Sequence, residues 1–379
     1  MKIGILTQPL LNNYGGLLQA FALQQKLKSL GHDTWIINRV YPKPGVKTKL
    51  IKLAKNIFYR RISSKKNIPL SMNEFEHRHI YGKISHFKSK FIFPITDKIY
   101  DTKGMSNLKE LDFDAFVVGS DQVWRQDYSP CITNYFLDFA IDFKGIKRIS
   151  YAASFGTSEF EIDQDKRSLI SKLASNFDSV SVRESSGIKL CKEHLGVSAV
   201  QVLDPTMLLD LKIYKKLIID ENESVSDGTL MSYFLDTSEI KKKYIEQISK
   251  ELNLTSFSTM PKTKFTKESI ANFDEAVFPS VTKWLKGFDD AEFVITDSFH
   301  GCVFSILFNK PFIAIGNERR GLSRFQSLLE KFGLEDRFVL DSEKIDSTLI
   351  HKKIDWDNVN TILSEERDKS VKFLSDNLN

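Results

Sequence analysis

Cysteine is scarce in this 379-residue chain: Cys131, Cys191 and Cys302 stand far apart, in neither paired nor metal-ligand spacing. That excludes a disulfide framework and a zinc site, and leaves three reduced, buried thiols as the plain reading. Long hydrophobic runs are missing as well. No segment approaches the ~18 apolar residues of a membrane span. The start, MKIGILTQPL, passes from one lysine through a strand-like run straight into a polar loop. It lacks the apolar core and small-residue cleavage site of a signal peptide, so the expected location is the cytoplasm. Neither nucleotide signature occurs, because the glycines near residue 15 lack the G-x-G-x-x-G spacing and no G-K-[ST] follows them. His77, His79 and His86 fall at i, i+2 and i+9, which does not place all three on one helix face, so no metal site is expected. No internal repeat or low-complexity segment is visible.

What is present describes an ordinary soluble globular protein, with 41% hydrophobic and 27% charged residues. At ~100–200 residues per domain, the length suggests two domains. The net charge of +5 is too small to imply nucleic acid. Its distribution says more. From Lys43 to Lys66 there are nine basic residues and no acid, with Leu50, Leu53, Ala54, Ile57 and Phe58 recurring at helical spacing. This is a basic amphipathic helix. It fits either an anionic membrane surface or a core-packed helix with a solvated basic face.

Along the chain, 2–7 and 33–38 read as strands around a helix over 15–30, and right-handed crossover makes a doubly wound sheet the default. The loop between the first strand and the helix ends in Gly15-Gly16, which allows close backbone approach to a ligand at a helix N-terminus. Further strands over 113–118, 147–153 and 179–182 run into polar turns: Gly119 to Trp124, Ser154 to Thr157, and Arg183 to Ser186. Repeated polar strand ends argue for a crevice. Asp204-Pro205-Thr206 marks a domain crossing, because the residue before proline disfavours helix. The pattern then restarts with strands over 229–235 and 254–258, helices over 239–252 and 280–288, and the stretch 291–316. That stretch joins two buried strands through Asp297-Ser298-Phe299-His300-Gly301 and a short apolar helix. A helix N-terminus at a strand's carboxyl end suits an anion, although a capped turn with a structural histidine would look the same. Arg319, Arg320 and Arg324 gather between the next strand and a helix over 322–332, and a final helix spans 356–378.

With these residues in hand, the chain resembles the polysaccharide pyruvyl transferase family over nearly its whole length. The resemblance is carried by Asn13-Tyr14-Gly15-Gly16 with Leu18-Gln19-Ala20, by Gly119-Ser120-Asp121-Gln122-Val123-Trp124, by Ser181-Val182-Arg183-Glu184, by Leu203-Asp204-Pro205-Thr206, and by Thr296-Asp297-Ser298-Phe299-His300-Gly301. It implies an α/β protein of two Rossmann-like doubly wound domains facing a cleft, similar to the glycosyltransferase B fold. Expected boundaries are 1–205 for an acceptor-side domain, 206–355 for a donor-side domain, and 356–379 for a helix packing back on the first. The implied activity is transfer of pyruvate from phosphoenolpyruvate, without a cofactor or metal, to a sugar of a surface polysaccharide or its lipid-linked precursor, as a cyclic ketal. Some characterised relatives carry Arg-Leu-His where this chain has Ser298-Phe299-His300. The donor-holding duty of that arginine then passes to Arg319, Arg320 or Arg324, or the donor differs.

Such chemistry needs proton transfer and anion handling. Histidine is the side chain suited to proton exchange at neutral pH, so His300 is the expected catalytic residue. Arg183, Ser298, Gly301, Arg319, Arg320 and Arg324 are the expected donor-binding residues, the arginines for their planar forks. Asn13, Tyr14, Gly15, Gly16 and Asp121 are expected at the acceptor, with Trp124 stacking on a sugar face. The alternatives are a nucleotide-sugar glycosyltransferase on a similar scaffold, or a non-catalytic sugar-binding partner. The basic helix leaves room for contact with the inner face of an anionic membrane, where lipid-linked sugars are assembled.

Overall fold

The computed structural model describes residues 1–61, 68–236, 238–317 and 321–378. Its strands form two parallel sheets. The first contains β1 (Lys2–Leu6), β2 (Asp33–Ile36), β3 (Ala115–Val118), β4 (Lys147–Ala153), β5 (Ser179–Val182) and β6 (Val200–Gln201), in the order β2-β1-β3-β4-β5-β6. The second contains β7 (Leu230–Tyr233), β8 (Ser256–Ser258), β9 (Phe293–Thr296), β10 (Phe312–Gly316) and β11 (Phe338–Leu340), in the order β11-β10-β9-β7-β8. Every residue of β3, β7, β9 and β10 is buried. Strands covered by helices on both faces have little room for polar residues, which is why these segments are near-continuous apolar runs, broken only by Ser232 in β7 and Thr296 at the end of β9.

The strand orders fix where a ligand can enter. In the first sheet the chain moves one way from β1 to β2 and the other way to β3, so the switch point lies between the ends of β1 and β3. In the second it lies between β7 and β9. The two points face each other. Between them, α1 (Tyr14–Ser29) starts with Asn13 as its cap, the side chain accepting from the Gly16 amide at 3.1 Å.

The domains share a core. Tyr14, at the first turn of α1, stacks on Trp284 with ring centroids 5.7 Å apart and donates its hydroxyl to the Pro279 carbonyl at 3.0 Å. One apolar cluster runs through this contact, from Ile5 in the first sheet to Val294 in the second. The last helix, Trp356–Leu378, lies against the first domain: Ser370 accepts from the Leu203 amide at 2.9 Å, and Phe373 packs on Tyr151 of β4 with ring centroids 6.3 Å apart.

The basic segment forms α2 (Val46–Arg61), but the expectation of a core-packed helix fails. Every residue from 46 to 55 is exposed, and contact with the body is confined to the side carrying Asn56, Tyr59 and Arg60. Arg60 grips Glu76, on α3 (Glu74–Phe91), with two hydrogen bonds of 2.9 and 2.7 Å. Among the described residues, no helix is long and apolar enough to cross a membrane.

Because Trp284 is fully buried where the two domains join, Trp284→Ala is expected to destabilise the protein by ~3–5 kcal/mol, read from urea unfolding. A loss below about 1 kcal/mol would mean that the domains do not depend on this contact.

Candidate active site

The site is built from chain segments of both domains that the two switch points bring together. On the first sheet, Gln19 of α1 donates to Thr7 Oγ1 at 2.8 Å and accepts from the Ser120 amide at 3.1 Å, while Thr7 donates to the Ser120 carbonyl at 2.9 Å. These bonds tie the ends of β1 and β3 to each other. They hold Asp121 at φ 72°, a left-handed conformation that aspartate tolerates better than most residues. Arg183, just beyond β5, donates to Asp204 Oδ2 at 2.8 Å and to Asp121 Oδ1 at 3.4 Å.

Asp204 is the centre of the cluster. Its Oδ1 accepts from the amide and hydroxyl of Thr206, at 3.0 and 2.7 Å, and its Oδ2 faces both Arg183 and, at 3.4 Å, His300 Nε2. Burial alone would raise this carboxyl. The charges of His300 and Arg183, with the Thr206 hydrogen bond, outweigh burial and hold it well below the usual carboxylate range. His300 arrives from the second domain on helix Phe299–Leu307, whose cap is Ser298. Its ring lies flat against the start of α1: a Cβ added to Gly15 would fall 2.1 Å from His300 Nδ1. Gly15 is therefore required by the histidine, and not by a turn. Phe299 completes the packing, with the Arg183 guanidinium 4.2 Å from its ring centroid.

A second guanidinium enters from helix Ser323–Phe332. Arg324 is half-buried, and desolvation of its guanidinium together with the nearby Arg183 pushes it down to about 10, against the opposing pull of Asp121 and Glu184. Glu184 is itself buried, accepting on Oε1 from the Ser154 hydroxyl and the Phe155 amide, both at 2.9 Å. Burial raises its carboxyl, offset in part by Arg183 and Arg324. Two arginines, an imidazole and three carboxylates thus meet in one cluster where the two domains touch. An arrangement of that kind can bind a multiply charged anion and move a proton.

Several expected site residues are placed otherwise. Trp124 is buried, stacked on Phe136 at 5.2 Å, with its N–H donating to the Tyr135 carbonyl at 3.1 Å; it packs the core beneath the turn and cannot stack on a sugar. Tyr14 is likewise spent at the domain contact and is not open to an acceptor. Ser298 accepts from the Gly301 amide at 3.4 Å, so both residues shape the turn and that N–H is already used. Asn13 is exposed at the cleft edge beside Gly16 and Asp121. Arg319 and Arg320 lie outside the described residues. Among the described residues, no group of three or more His, Cys, Asp or Glu could hold a metal ion. Sequence reasoning missed Asp204 and Glu184 as site residues, although both sit inside quoted motifs. Asp204-Pro205 was legible only as a chain crossing, because a buried acid and a surface acid look alike in one sequence.

The fold is that of the glycosyltransferase B class, which includes glycosyltransferases and sugar-nucleotide epimerases. A UDP-GlcNAc 2-epimerase from Neisseria meningitidis bound to UDP-GlcNAc is similar at TM-score 0.53 and 11% identity, covering 98% of this chain and 93% of its own. UGT89C1 of Arabidopsis thaliana complexed with UDP-L-rhamnose is similar at TM-score 0.51 and 10% identity, covering 98% and 97%. Residues 13–319 match Polysaccharide pyruvyl transferase, and the chain belongs to that family of transferases. A search of curated proteins finds no match.

Asp204→Asn tests the hub. It removes the charge that faces Arg183 and His300, and breaking such a buried pair costs ~3–5 kcal/mol near neutral pH. The folded carboxyl titrates below the unfolded one, so its contribution is full above about pH 4 and is lost as the pH falls towards the folded value. Urea midpoints of parent and variant should therefore converge below about pH 4. A gap that stays constant with pH would show that Asp204 does not carry this charge coupling.

Proposed function

We propose that the protein transfers pyruvate from phosphoenolpyruvate to a saccharide, closing a cyclic ketal across two hydroxyls. The observation that carries this reading is the Asp204–His300 contact at the meeting of the switch points, flanked by Arg183 and Arg324. In the proposed reaction the methylene carbon of the enol phosphate takes a proton. A sugar hydroxyl attacks the adjacent carbon and gives up its own proton. A second hydroxyl then displaces the phosphate, which leaves as inorganic phosphate carrying the second proton. His300 exchanges the protons, and Asp204 stabilises the imidazolium that forms between steps.

The donor carries a carboxylate and a phosphate close together, which suits two guanidinium groups in one cluster. Ser298 stands where relatives have an arginine, so Arg324 takes the donor-holding role, with Arg319 and Arg320, a few residues earlier in the sequence, as further candidates. Asn13, Asp121 and the Gly15-Gly16 turn form the acceptor side. The chemistry calls for proton transfer and anion binding alone, so no cofactor or metal is assigned. The acceptor is a polysaccharide unit or its lipid-linked precursor, met in the cytoplasm at the inner face of the membrane. A second reading, a nucleotide-sugar glycosyltransferase, is favoured by the fold likeness to an enzyme complexed with UDP-L-rhamnose and by Ser298. Release of a nucleoside diphosphate would support it; inorganic phosphate with a ketal supports the first. No turnover of either donor would leave a sugar-binding partner.

His300→Gln and His300→Ala are expected to fold as the parent does and to lose ~10²–10⁴-fold in turnover, the usual worth of general acid–base catalysis. Parent-like activity in either variant would remove His300 from the mechanism.

Arg324→Lys keeps the charge and loses the planar fork. Phosphoenolpyruvate binding, measured by calorimetry, should weaken at least ~10-fold, with smaller or equal losses for Arg183→Lys, Arg319→Lys and Arg320→Lys. If all four lysine variants bind the donor as tightly as the parent, the arginine clamp does not exist.

A further inference from the structure

Helix α2 shows an apolar surface that none of the described residues covers. Val46, Leu50, Leu53 and Ile57 are spaced i, i+4, i+7 and i+11, one stripe along the helix, and Ile51 and Phe58 widen it. All six are exposed, Val46 at 73% and Leu50 at 60%. A stripe of this kind on a globular protein normally faces the core. Here contact with the body comes from Asn56, Tyr59 and Arg60 near the C-terminal end of the helix, and the stripe before them stays exposed. Lys47, Lys49, Lys52 and Lys55 accompany it, with no acidic residue anywhere between 43 and 66.

A cavity of about 770 Å³ adjoins the anchored end. Leu10, Leu11, Leu70 and Met72 contribute apolar walls, and Lys88 and Lys98 bring two cations. Ser71, between Leu70 and Met72, is the residue whose carbonyl Asn56 and Arg60 of α2 hold, at 3.1 and 3.0 Å. Lys88 donates to the Leu10 carbonyl at 3.0 Å, and burial beside Lys98 lowers its ammonium. Leu10 and Leu11 belong to the loop that continues into Asn13 and the Gly15 seat of His300. The cavity therefore lies between the outward helix and the candidate active site.

We propose that α2 and this cavity form one docking face for an anionic membrane surface, with the helix lying flat on the lipid and the cavity admitting the phosphate and upper chain of a single lipid. Charge complementarity selects this occupant. An apolar stripe alone would suit a second copy of the chain, but the exposed Lys47, Lys49, Lys52 and Lys55 of each copy would then be brought together with no acid on the helix to offset them. An anionic surface accepts both features, since apolar residues enter the interface while lysines meet the headgroups. The face gives a location to the proposed acceptor chemistry, on which it rests for its biological sense. Its binding is read without substrate, so its failure and the failure of that chemistry are separately visible.

The test uses the full chain and vesicles of phosphatidylglycerol and phosphatidylcholine, or of phosphatidylcholine alone. Co-sedimentation is expected only with the anionic vesicles, with release at roughly 0.5 M salt as screening shortens the reach of the charges. Each lysine near the surface contributes roughly fivefold in partitioning, so Lys47→Gln, Lys49→Gln, Lys52→Gln and Lys55→Gln together should lower it by more than about 100-fold. Activity on a soluble acceptor should stay at the parent level in that variant. Leu50→Ser with Leu53→Ser should also reduce sedimentation, and Lys88→Gln with Lys98→Gln should weaken it several-fold. Equal binding to neutral vesicles, none to anionic vesicles, or parent-like sedimentation of the four-glutamine variant would overturn the docking helix. Parent-like sedimentation of the Lys88/Lys98 variant would overturn the lipid-admitting cavity. A concentration-dependent dimer in light scattering, abolished by the two serine changes, would assign the stripe to a second copy instead.

Discussion

A single buried carboxylate, Asp204, faces charge from both halves of the molecule, and the geometry of the crevice follows from satisfying it. An isolated anion at such depth would protonate or destabilise the fold. Arg183 from the first sheet, Thr206 from the connecting turn and His300 from the second domain share the task. Each partner is also held elsewhere: Arg183 by Asp121 and the Phe299 ring, His300 by the bare backbone of Gly15. The charge network and the domain contact are one construction, so the position of the imidazole is set by both domains at once.

This coupling explains why the motifs of the chain, scattered over nearly 300 residues, are of the types they are. Gln19 is fixed because it ties the ends of β1 and β3 through Thr7 and the Ser120 amide. Tyr14 is fixed by Trp284, and Gly15 by the imidazole. Asp297 accepts from the Leu235 amide at 2.7 Å and from buried Lys241 at 2.6 Å, bridging the ends of β7 and β9 below the His300 turn. None of these residues has to touch a substrate. They set the distances between the groups that do.

Much of the fold was legible in the sequence, because buried parallel strands are near-continuous apolar runs and each ended in a polar turn. β11 was not, since Phe338–Leu340 is three residues long at a sheet edge and carries too little pattern. At the site, His300, Arg183, Asp121 and Arg324 were legible as chemistry-bearing types at strand ends. Trp124 and Tyr14 misled for one reason: an aromatic residue beside a polar turn reads as exposed, whereas both turns fold inward and use the ring to fill the space below. Asp204 was hidden by its neighbour, since Pro205 accounted for the local pattern without any charge partner. α2 was ambiguous because its period of 3.6 shows that an apolar face exists but not whether the rest of the chain comes to meet it.

The absence of an arginine at position 298 has a structural counterpart on another element. Helix Ser323–Phe332 begins directly after Gly321, where an added Cβ would fall 2.2 Å from the Gly156 carbonyl, so the start of that helix is pressed against the 154–156 turn of the first domain. Ser327 of the same helix accepts from the Ser185 amide at 2.9 Å and from Gln201 at 2.8 Å, fixing its rotation. Those contacts leave Arg324 one turn earlier, within electrostatic reach of Asp121 and Glu184, which favour its charge, and of Arg183, which opposes it. A guanidinium delivered this way depends on the closed contact between the domains, whereas one on the His300 turn would move with the second domain alone. The cluster is therefore complete only while both domains meet, since Arg183 and Asp121 come from the first sheet and His300 and Arg324 from the second domain.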